Sequence, residues 1–189
     1  PMPEGVEEGI LKGMYRYLTS DKKDTADVHL LGSGAILNQC VKARRILENE
    51  FDLAVHVWSA TSWKELYLDG TDTDRHNMLN PAEKPKKSYI EECFDGITAP
   101  IVAASDYLKT LPLQAGKWFP SRFVALGTDG YGRSDNRGAL RDYFEVDTRH
   151  IAYSALGSLY KEKKIDKKTL NKGAERLNID PEKLNPIDL

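Results

Sequence analysis

Short apolar runs alternate with stretches of helical periodicity along most of the chain. The runs of four to six residues are typical of β-strands, and those without polar alternation are typical of strands buried on both faces. The four runs that predict strands are residues 28–31, 54–59, 101–104 and 123–126. An earlier stretch, residues 10–18, carries Tyr15 and Tyr17 on one face and predicts a further strand.

Helical patterns follow the strands. Between residues 36 and 47 the apolar residues recur at spacings of four, three and four, which predicts an amphipathic helix. Ser62 with Glu65, and Ser88 with Glu91, form capping boxes that predict two helix starts, separated by a long loop over residues 69–87. These two helices are predicted to span residues 63–68 and to run from the Ser88 cap through residue 94. Further helices are predicted at residues 107–111 and at residues 136–144, with Asp135 as the N-cap of the latter. Asp147 and Asp166 cap the last two predicted helices.

Alternation of strands and helices predicts parallel pairing through right-handed crossovers, and therefore a three-layer α/β/α sandwich. The pairing of the first strand stays open, because the turn at residues 21–24 also suits a hairpin with residues 28–31. We expect residues 1–9 to be a linker that enters the domain, and residues 10–189 to form the domain, with a helical C-terminal extension from about residue 148.

Composition narrows the class of protein. A chain of 189 residues with 40% hydrophobic and 30% charged residues fits one globular domain. A net charge of -2 gives no electrostatic case for nucleic-acid binding. The sequence has no apolar run that approaches the ~20 residues of a membrane span and no secretory signal, so we expect a cytoplasmic protein without membrane contact. Cys40 and Cys93 offer neither a disulfide framework nor a metal-binding spacing.

Two loops that follow predicted strands are candidates for binding. The turn Gly32, Ser33, Gly34 joins a strand to a helix, and its amide groups are candidates for an anion site near the helix dipole. Ser105 and Asp106 follow the predicted strand at residues 101–104 and join this candidate site. The alternative for the glycine turn is a packing role, and the alternative for Ser105 and Asp106 is a helix N-cap.

A third loop, residues 127–135, joins the last predicted strand to a helix and combines three glycines with charged side chains. Its candidate functional residues are Thr128, Asp129, Gly130, Tyr131, Gly132, Arg133 and Ser134. A solvated turn is the alternative interpretation of the loop.

Catalytic and metal-binding patterns are missing from the sequence. The four histidines, which are His29, His56, His76 and His150, are not spaced as metal ligands. We interpret His29 and His56 as half-buried strand residues with satisfied hydrogen bonds. No serine has the context of a nucleophile elbow. We therefore predict no catalytic residue and no metal ligand in this chain.

Several motifs occur in an order that resembles one enzyme family. They are EGVEEGILKGMY at residues 4–15, LLGSG at 30–34, WSATS at 58–62, SDY at 105–107, LGTDGYGRSD at 126–135 and FEVD at 144–147. These motifs resemble the C-terminal domain of the homodimeric bacterial pyruvate dehydrogenase decarboxylating component. The resemblance runs over essentially the whole chain.

The resemblance implies a transketolase C-terminal fold: a five-stranded mixed sheet whose first strand is antiparallel and lies beside residues 54–59. It also implies that thiamine diphosphate and magnesium bind to preceding domains of a longer enzyme, and that no cofactor binds to this chain. The implied partners are the N-terminal and middle domains, a second subunit of a homodimer, and the dihydrolipoyl acetyltransferase component. Trp63, Tyr131 and residues 69–87 are the expected contacts with the other domains or the second subunit.

The resemblance implies a role in assembly within an enzyme that decarboxylates pyruvate and transfers acetyl to a lipoyl group. The alternative is a free-standing α/β module that binds an anion or nucleotide and has a regulatory role. A flavodoxin-like electron carrier is disfavoured, because no aromatic pair flanks a phosphate loop.

Overall fold

The computed structural model describes residues 3–188 and contains one five-stranded sheet with strand order β1-β3-β2-β4-β5. Strand β1 is antiparallel to β3, while β2, β3, β4 and β5 run parallel to one another. The strands are β1 (Met14–Leu18), β2 (Val28–Gly32), β3 (Val55–Ala60), β4 (Ile101–Ala104) and β5 (Phe123–Leu126). The predicted α/β class and the mixed sheet are confirmed, and the hairpin alternative for the first strand is wrong.

Helices cover both faces of this sheet. They are α1 (Glu7–Lys12), α2 (Leu37–Glu50), α3 (Trp63–Leu79), α4 (Tyr89–Cys93), α5 (Thr110–Ala115), α6 (Arg137–Tyr143), α7 (Thr148–Lys161) and α8 (Lys167–Arg176). Since successive strand residues point to opposite faces, the sheet separates two hydrophobic cores. One core contains α2 and α7, and the other contains residues of α3, α4 and α5 together with an aromatic group around Phe94.

The first strand is shorter than predicted. Residues 7–12 form helix α1, so the predicted strand over residues 10–18 starts only at Met14, and Glu7 to Gly9 are helical instead of linker. Gly13 separates the helix from the strand with a φ of 104°, a conformation that favours glycine. A Cβ atom there would lie 2.6 Å from the backbone oxygen of Ser62, so close packing also requires glycine.

Helix α3 is longer than predicted, because residues 69–79 continue the helix instead of opening a loop. Gly70 lies inside this helix, and its lack of a side chain makes room for the indole of Trp118. Helix α5 begins at Thr110, three residues later than predicted, and continues through Pro112. Proline is tolerated there because the amide groups of the first helical turn have no partner within the helix.

The last two helices belong to the body of the domain. In α7, Ile151, Ala152, Ala155 and Leu156 are fully buried in the core that α2 also lines. Gly173 of α8 packs against Leu156. Among the residues that the structure describes, no helix combines the length and the apolar character that crossing a bilayer requires.

Candidate functional site

The loops that follow β2, β4 and β5 meet at the carboxyl edge of the sheet. The amide of Ser33 donates to the carbonyl of Ala104 at 3.1 Å, and the amide of Ser105 donates to the carbonyl of Leu126 at 3.1 Å. The candidate residues from the three loops therefore lie side by side, because parallel strands place their carboxyl ends at the same edge.

The glycine turn after β2 is tightly packed. A Cβ atom on Gly32 would lie 2.4 Å from the Cα of Leu37, so only glycine fits there. The Ser33 hydroxyl is buried and accepts a hydrogen bond from Trp63 Nε1 at 2.9 Å. Gly34 has a φ of 53°, and the Asp106 carboxylate lies 4.0 Å from the position of its Cβ. The Asp106 carboxylate would repel an anion at this turn. Anion binding at the glycine turn stays a prediction.

Trp63 is a core residue instead of an interface residue. Its side chain belongs to the core beneath α3, only 5% of the residue is exposed, and its indole nitrogen is bonded to Ser33. The assignment of Trp63 to a contact surface was wrong, since little of the ring remains for a partner to touch.

Thr128 and Asp129 tie the loop after β5 to the loop after β4. The amide of Thr128 donates to the carbonyl of Tyr107 at 2.8 Å, and its hydroxyl donates to the carbonyl of Asp106 at 3.1 Å. The Asp129 carboxylate accepts from the amide of Lys109 at 2.8 Å. These bonds join the two loops, and they give the side chains of Thr128 and Asp129 a structural role.

The rest of the loop is open to solvent. Gly130 has a φ of 90°, and a side chain there would approach the carbonyl of Pro186 at 3.1 Å. Tyr131 is 83% exposed, and Gly132 and Ser134 are exposed too. Asn136, and not the predicted Asp135, caps α6, because its side-chain oxygen accepts from two amides of the first turn. Tyr131 keeps the exposure that an interface residue needs.

A pocket of about 410 Å³ opens beside these loops. Its rim carries Arg133, Arg137 and Arg141, and Asp106 is the single acidic residue in the lining. Arg133 donates to the hydroxyl of Tyr143 at 3.3 Å. The apolar part of the lining consists of Ala35, Ile36, Leu140, Phe144 and Val146. The pocket can take an anionic group at its rim and an apolar group on its floor.

Our sequence interpretation selected Arg133 and missed Arg137 and Arg141. The available signal was the spacing of four residues between Arg137 and Arg141, since residues four apart lie on the same face of a helix; Arg133 lies in the loop before the helix. The spacing alone did not indicate a pocket, because Ile36 and Val146, which complete it, come from other parts of the chain.

One group of side chains has the spacing of metal ligands. Within the described residues, Asp142, Asp147 and His150 are the group whose ligand atoms lie within 4.8 Å of one another. Arg149 pairs with both carboxylates, and Asp147 is bonded to the ring and the amide of His150. Burial raises the pKa of Asp147, but the bonds from His150 and Arg149 outweigh burial and hold that pKa well below its usual range. The group is an ion-pair network that caps α7 and does not fit a magnesium ion.

The family model described as the transketolase-like TK C-terminal domain matches residues 13–147. This chain belongs to that family. Solved transketolases contain a domain with the same fold as this chain, at low sequence identity. The transketolase of Leishmania mexicana has a TM-score of 0.56 and 18% identity, and the match covers 85% of this chain and 20% of that one.

Curated relatives are more similar in sequence. The pyruvate dehydrogenase E1 component of Pseudomonas aeruginosa is 46% identical over 189 residues, which is 99% of this chain and 21% of that protein. The pyruvate dehydrogenase E1 component of Escherichia coli strain K12 is 44% identical over 186 residues, with 98% and 21% covered. This transketolase C-terminal domain therefore spans about one fifth of the length of the relatives that it matches.

Proposed function

We propose that this chain is the C-terminal domain of a pyruvate dehydrogenase E1 component and serves in its assembly. The whole enzyme, a cytoplasmic homodimer, decarboxylates pyruvate with thiamine diphosphate and magnesium and passes the acetyl group to the lipoyl group of dihydrolipoyl acetyltransferase. The observation that carries this proposal is the 46% identity over nearly the whole chain to a protein named pyruvate dehydrogenase E1 component.

The cluster of possible metal ligands found among residues 3–188 does not fit the magnesium that accompanies the cofactor. Arg149 pairs with Asp142 and with Asp147, and Asp147 also accepts from the amide and the ring of His150, so this group does not offer the free oxygen ligands that magnesium prefers. We therefore derive no catalytic step from this chain, and the reaction belongs to the N-terminal and middle domains of the enzyme.

Calorimetric titration tests whether the cofactor binds to this chain or to the upstream domains. Thiamine diphosphate with magnesium should release no heat of binding when it is added to the 189-residue chain, whereas the protein with the upstream domains should bind it saturably. Saturable binding to the 189-residue chain would overturn the proposal that the cofactor site lies in other domains.

Exposed apolar side chains near the carboxyl edge support a role in assembly. These residues are between 42% and 83% exposed, and they are Tyr107, Leu108, Leu111, Leu113 and Tyr131. Large exposed apolar patches on a protein mark surfaces that other domains or subunits cover. We assign this surface to contacts with the other domains of the enzyme or with the second subunit.

Anion binding at the carboxyl edge is a second candidate function, and the arginine pocket favours it. A guanidinium group binds carboxylate and phosphate oxygens through two parallel hydrogen bonds, and the pocket carries three such groups above an apolar floor. We propose a ligand that combines an anionic group with an apolar or aromatic body, such as a nucleotide. Asp106 also lines this pocket, and its carboxylate lies 4.0 Å from the position of a Cβ atom on Gly34.

Calorimetry with ATP tests this second function. The variants Arg137→Gln and Arg141→Gln should each weaken binding about tenfold, because each removes charge-assisted hydrogen bonds. The matched control is Arg45→Gln, which makes the same change on the exposed face of α2, away from the pocket. Equal affinities for all four proteins would rule out the arginine pocket as the site.

A further inference from the structure

The sheet ends at one side with β5, whose outer edge is open. The four residues of this strand, Phe123–Leu126, are all partly exposed, whereas the residues of β2, β3 and β4 are buried. The strand order places β4 beside β5 and, among residues 3–188, no strand beyond it. One row of backbone groups of β5 therefore faces away from the sheet.

The hydrogen bonds to β4 identify the groups in this row. The amide of Ile101 donates to the carbonyl of Arg122 at 2.8 Å. Since the backbone groups of a strand alternate in direction, Val124 also faces β4, while Phe123 and Ala125 face outward. Within the described part of the chain, the amides and carbonyls of Phe123 and Ala125 have no hydrogen-bond partner.

The opposite edge of the same sheet, formed by β1, is protected. A register shift between Arg16 and Leu18 interrupts its pairing with β3, and Arg16 places an exposed charge on the strand. The hydroxyl of Tyr89 donates to the carbonyl of Met14 at 3.0 Å and occupies a backbone group of this strand. Bulges, charged side chains and cover by another segment are the means by which proteins keep edge strands from pairing with other chains. The residues of β5 are apolar and keep a continuous register with β4, so this edge lacks such protection.

Apolar side chains lie next to the open edge. Helix α5 leads into β5 and contacts it, and its Leu111 and Leu113 are 42% and 51% exposed. Arg122, the charged residue before β5, has its Nε 3.8 Å from Oε1 of Glu162, so its charge has a partner within the chain. A strand paired with β5 would therefore lie beside apolar groups that a partner can cover.

We propose that β5 is a dimerisation edge, which pairs antiparallel with β5 of a second copy of this chain. A two-fold axis at Val124 places Phe123 of one copy opposite Ala125 of the other. The amide of each of these two residues then donates to the carbonyl of the residue opposite it, so the outward groups of both copies are all bonded. A second copy fits this edge because the outward residues are two positions apart, which makes the row complementary to itself. The result is a continuous sheet of ten strands, five from each copy.

This contact rests on the proposed role in assembly and names its partner. In a homodimer, a contact that uses the same strand of both subunits joins the two C-terminal domains through their sheets. The contact does not depend on where the cofactor binds, so a failed pairing would leave the assignment to an E1 component standing.

Disulfide cross-linking tests the pairing and its register. Cys40 is buried and Cys93 is partly exposed, so the test uses a Cys93→Ser background. Val124→Cys then puts one thiol of each copy at the two-fold axis. Facing residues at such a non-hydrogen-bonded position are about 4.5 Å apart between Cα atoms, which a disulfide can span. Mild oxidation should therefore yield a covalent dimer linked through position 124, identified by mass spectrometry of the joined peptides.

Leu126→Cys in the same background is the matched control. This residue lies on the same strand and the same sheet face as Val124, and it is also partly exposed. In the proposed register the two thiols at position 126 are separated by four strand positions, or roughly 13 Å, so they should not form a disulfide within the dimer.

Hydrogen-exchange NMR is a second measurement, and it needs no substitution. The amides of Phe123 and Ala125 should become protected as the protein concentration rises. The amides of Val124 and Leu126 face β4 and should be protected at every concentration. Ala125→Pro removes one outward amide, which an edge strand tolerates, and should weaken dimerisation about tenfold in sedimentation velocity.

Two results would contradict the pairing of two copies. One is cross-linking at position 124 that is no faster than at position 126, and the other is exchange at Phe123 and Ala125 that does not depend on concentration. Protection of these two amides only when the upstream domains are attached, without a cross-link at position 124, would instead assign the edge to a strand of those domains. The exchange of the unsubstituted chain decides the matter even if a variant fails to fold.

Discussion

His29 makes the protein sensitive to acid. Its pKa is lowered to about 3 by burial and by the positive groups near it, compared with 6.5 in an unfolded chain. Between these two values the unfolded chain binds the proton and the folded protein does not, so the free energy of unfolding falls as the pH decreases from about 6.5 towards 3. Above this range both states are neutral at this residue, and its contribution no longer changes.

The first prediction concerns His29→Gln. His29 Nδ1 accepts a hydrogen bond from Trp58 Nε1 at 3.1 Å, which the amide oxygen of glutamine can still accept, but glutamine does not titrate. We expect the slope of unfolding free energy against pH, in the acid range below about 6, to decrease by up to about 1.4 kcal/mol per pH unit. Urea unfolding in phosphate-free buffers measures the slope. Parallel curves for the variant and the parent would show that His29 is protonated equally in both states.

A glycine pair provides the second prediction at the residue scale. In α3, a Cβ atom on Gly70 would lie 2.4 Å from the Trp118 ring, whereas a Cβ atom on Gly157 in α7 would meet nothing within 4 Å. We expect Gly70→Ala to destabilise the protein by about 1–3 kcal/mol because of overpacking. Gly157→Ala should stabilise it by about 0.5–1 kcal/mol through helix propensity.

Thermal and urea unfolding of both glycine variants provide the measurement. Both substitutions add one methyl group to a helix. Changes of opposite sign in the free energy of unfolding would therefore report the clash with the Trp118 indole at Gly70. Stabilisation by both variants would mean that Trp118 moves aside without cost.

Helix α6 is capped by Asn136 and packs Leu140 and Tyr143 against the core. None of its seven residues is fully buried, while the side-chain oxygen of Asn136 accepts from the amides of Gly138 and Ala139 at 3.0 Å each. This short helix carries Arg137 and Arg141 to the arginine pocket. The Asn136 side chain, which satisfies the first helical turn, therefore helps to position these two arginines.

The third prediction is that Asn136→Ala costs about 1 kcal/mol of stability and increases the exchange of the Gly138 and Ala139 amides. Asn136→Asp is the control, since aspartate caps equally well. Hydrogen-exchange NMR follows the two amides directly. Unchanged exchange in the alanine variant would show that packing of Leu140 holds the helix without the cap.

Within residues 3–188 the sheet separates two cores, and several apolar side chains after β4 are exposed. The cores on the two faces of the sheet contain most of the buried hydrophobic residues, while the leucine side chains after β4 are about half exposed. Such a surface fits a domain that makes up 21% of the length of its relatives.

The fourth prediction is that the isolated chain self-associates weakly through this surface. Leu111→Gln should reduce the association, because it replaces an apolar group on the surface with a polar one. Leu11→Gln on α1, where the leucine is 79% exposed, is the control. Sedimentation velocity over a range of concentrations measures the effect. Equal association of both variants and the parent would mean that the surface after β4 does not mediate self-association.

Local sequence determined most of the secondary structure. The apolar runs of β2, β4 and β5 and the Ser88–Glu91 capping box act between residues that are close in the chain, so their patterns identify these elements directly. The alternation of strands and helices also determined the parallel part of the sheet, because crossovers of this kind have one favoured hand. The antiparallel position of β1 followed from the family motifs, not from periodicity.

Tertiary structure decided the details that give the surface its chemistry. The burial of Trp63, the helical start at residues 7–12 and the length of α3 depend on contacts with residues far away in the chain. The arginine pocket and the buried ring of His56, whose nitrogens lack a hydrogen-bond partner among the described residues, likewise appear only when separate elements pack together. The physical reason is that periodicity reports which face of an element is apolar, whereas a cavity or an unpaired buried nitrogen depends on what the opposite element brings to that face.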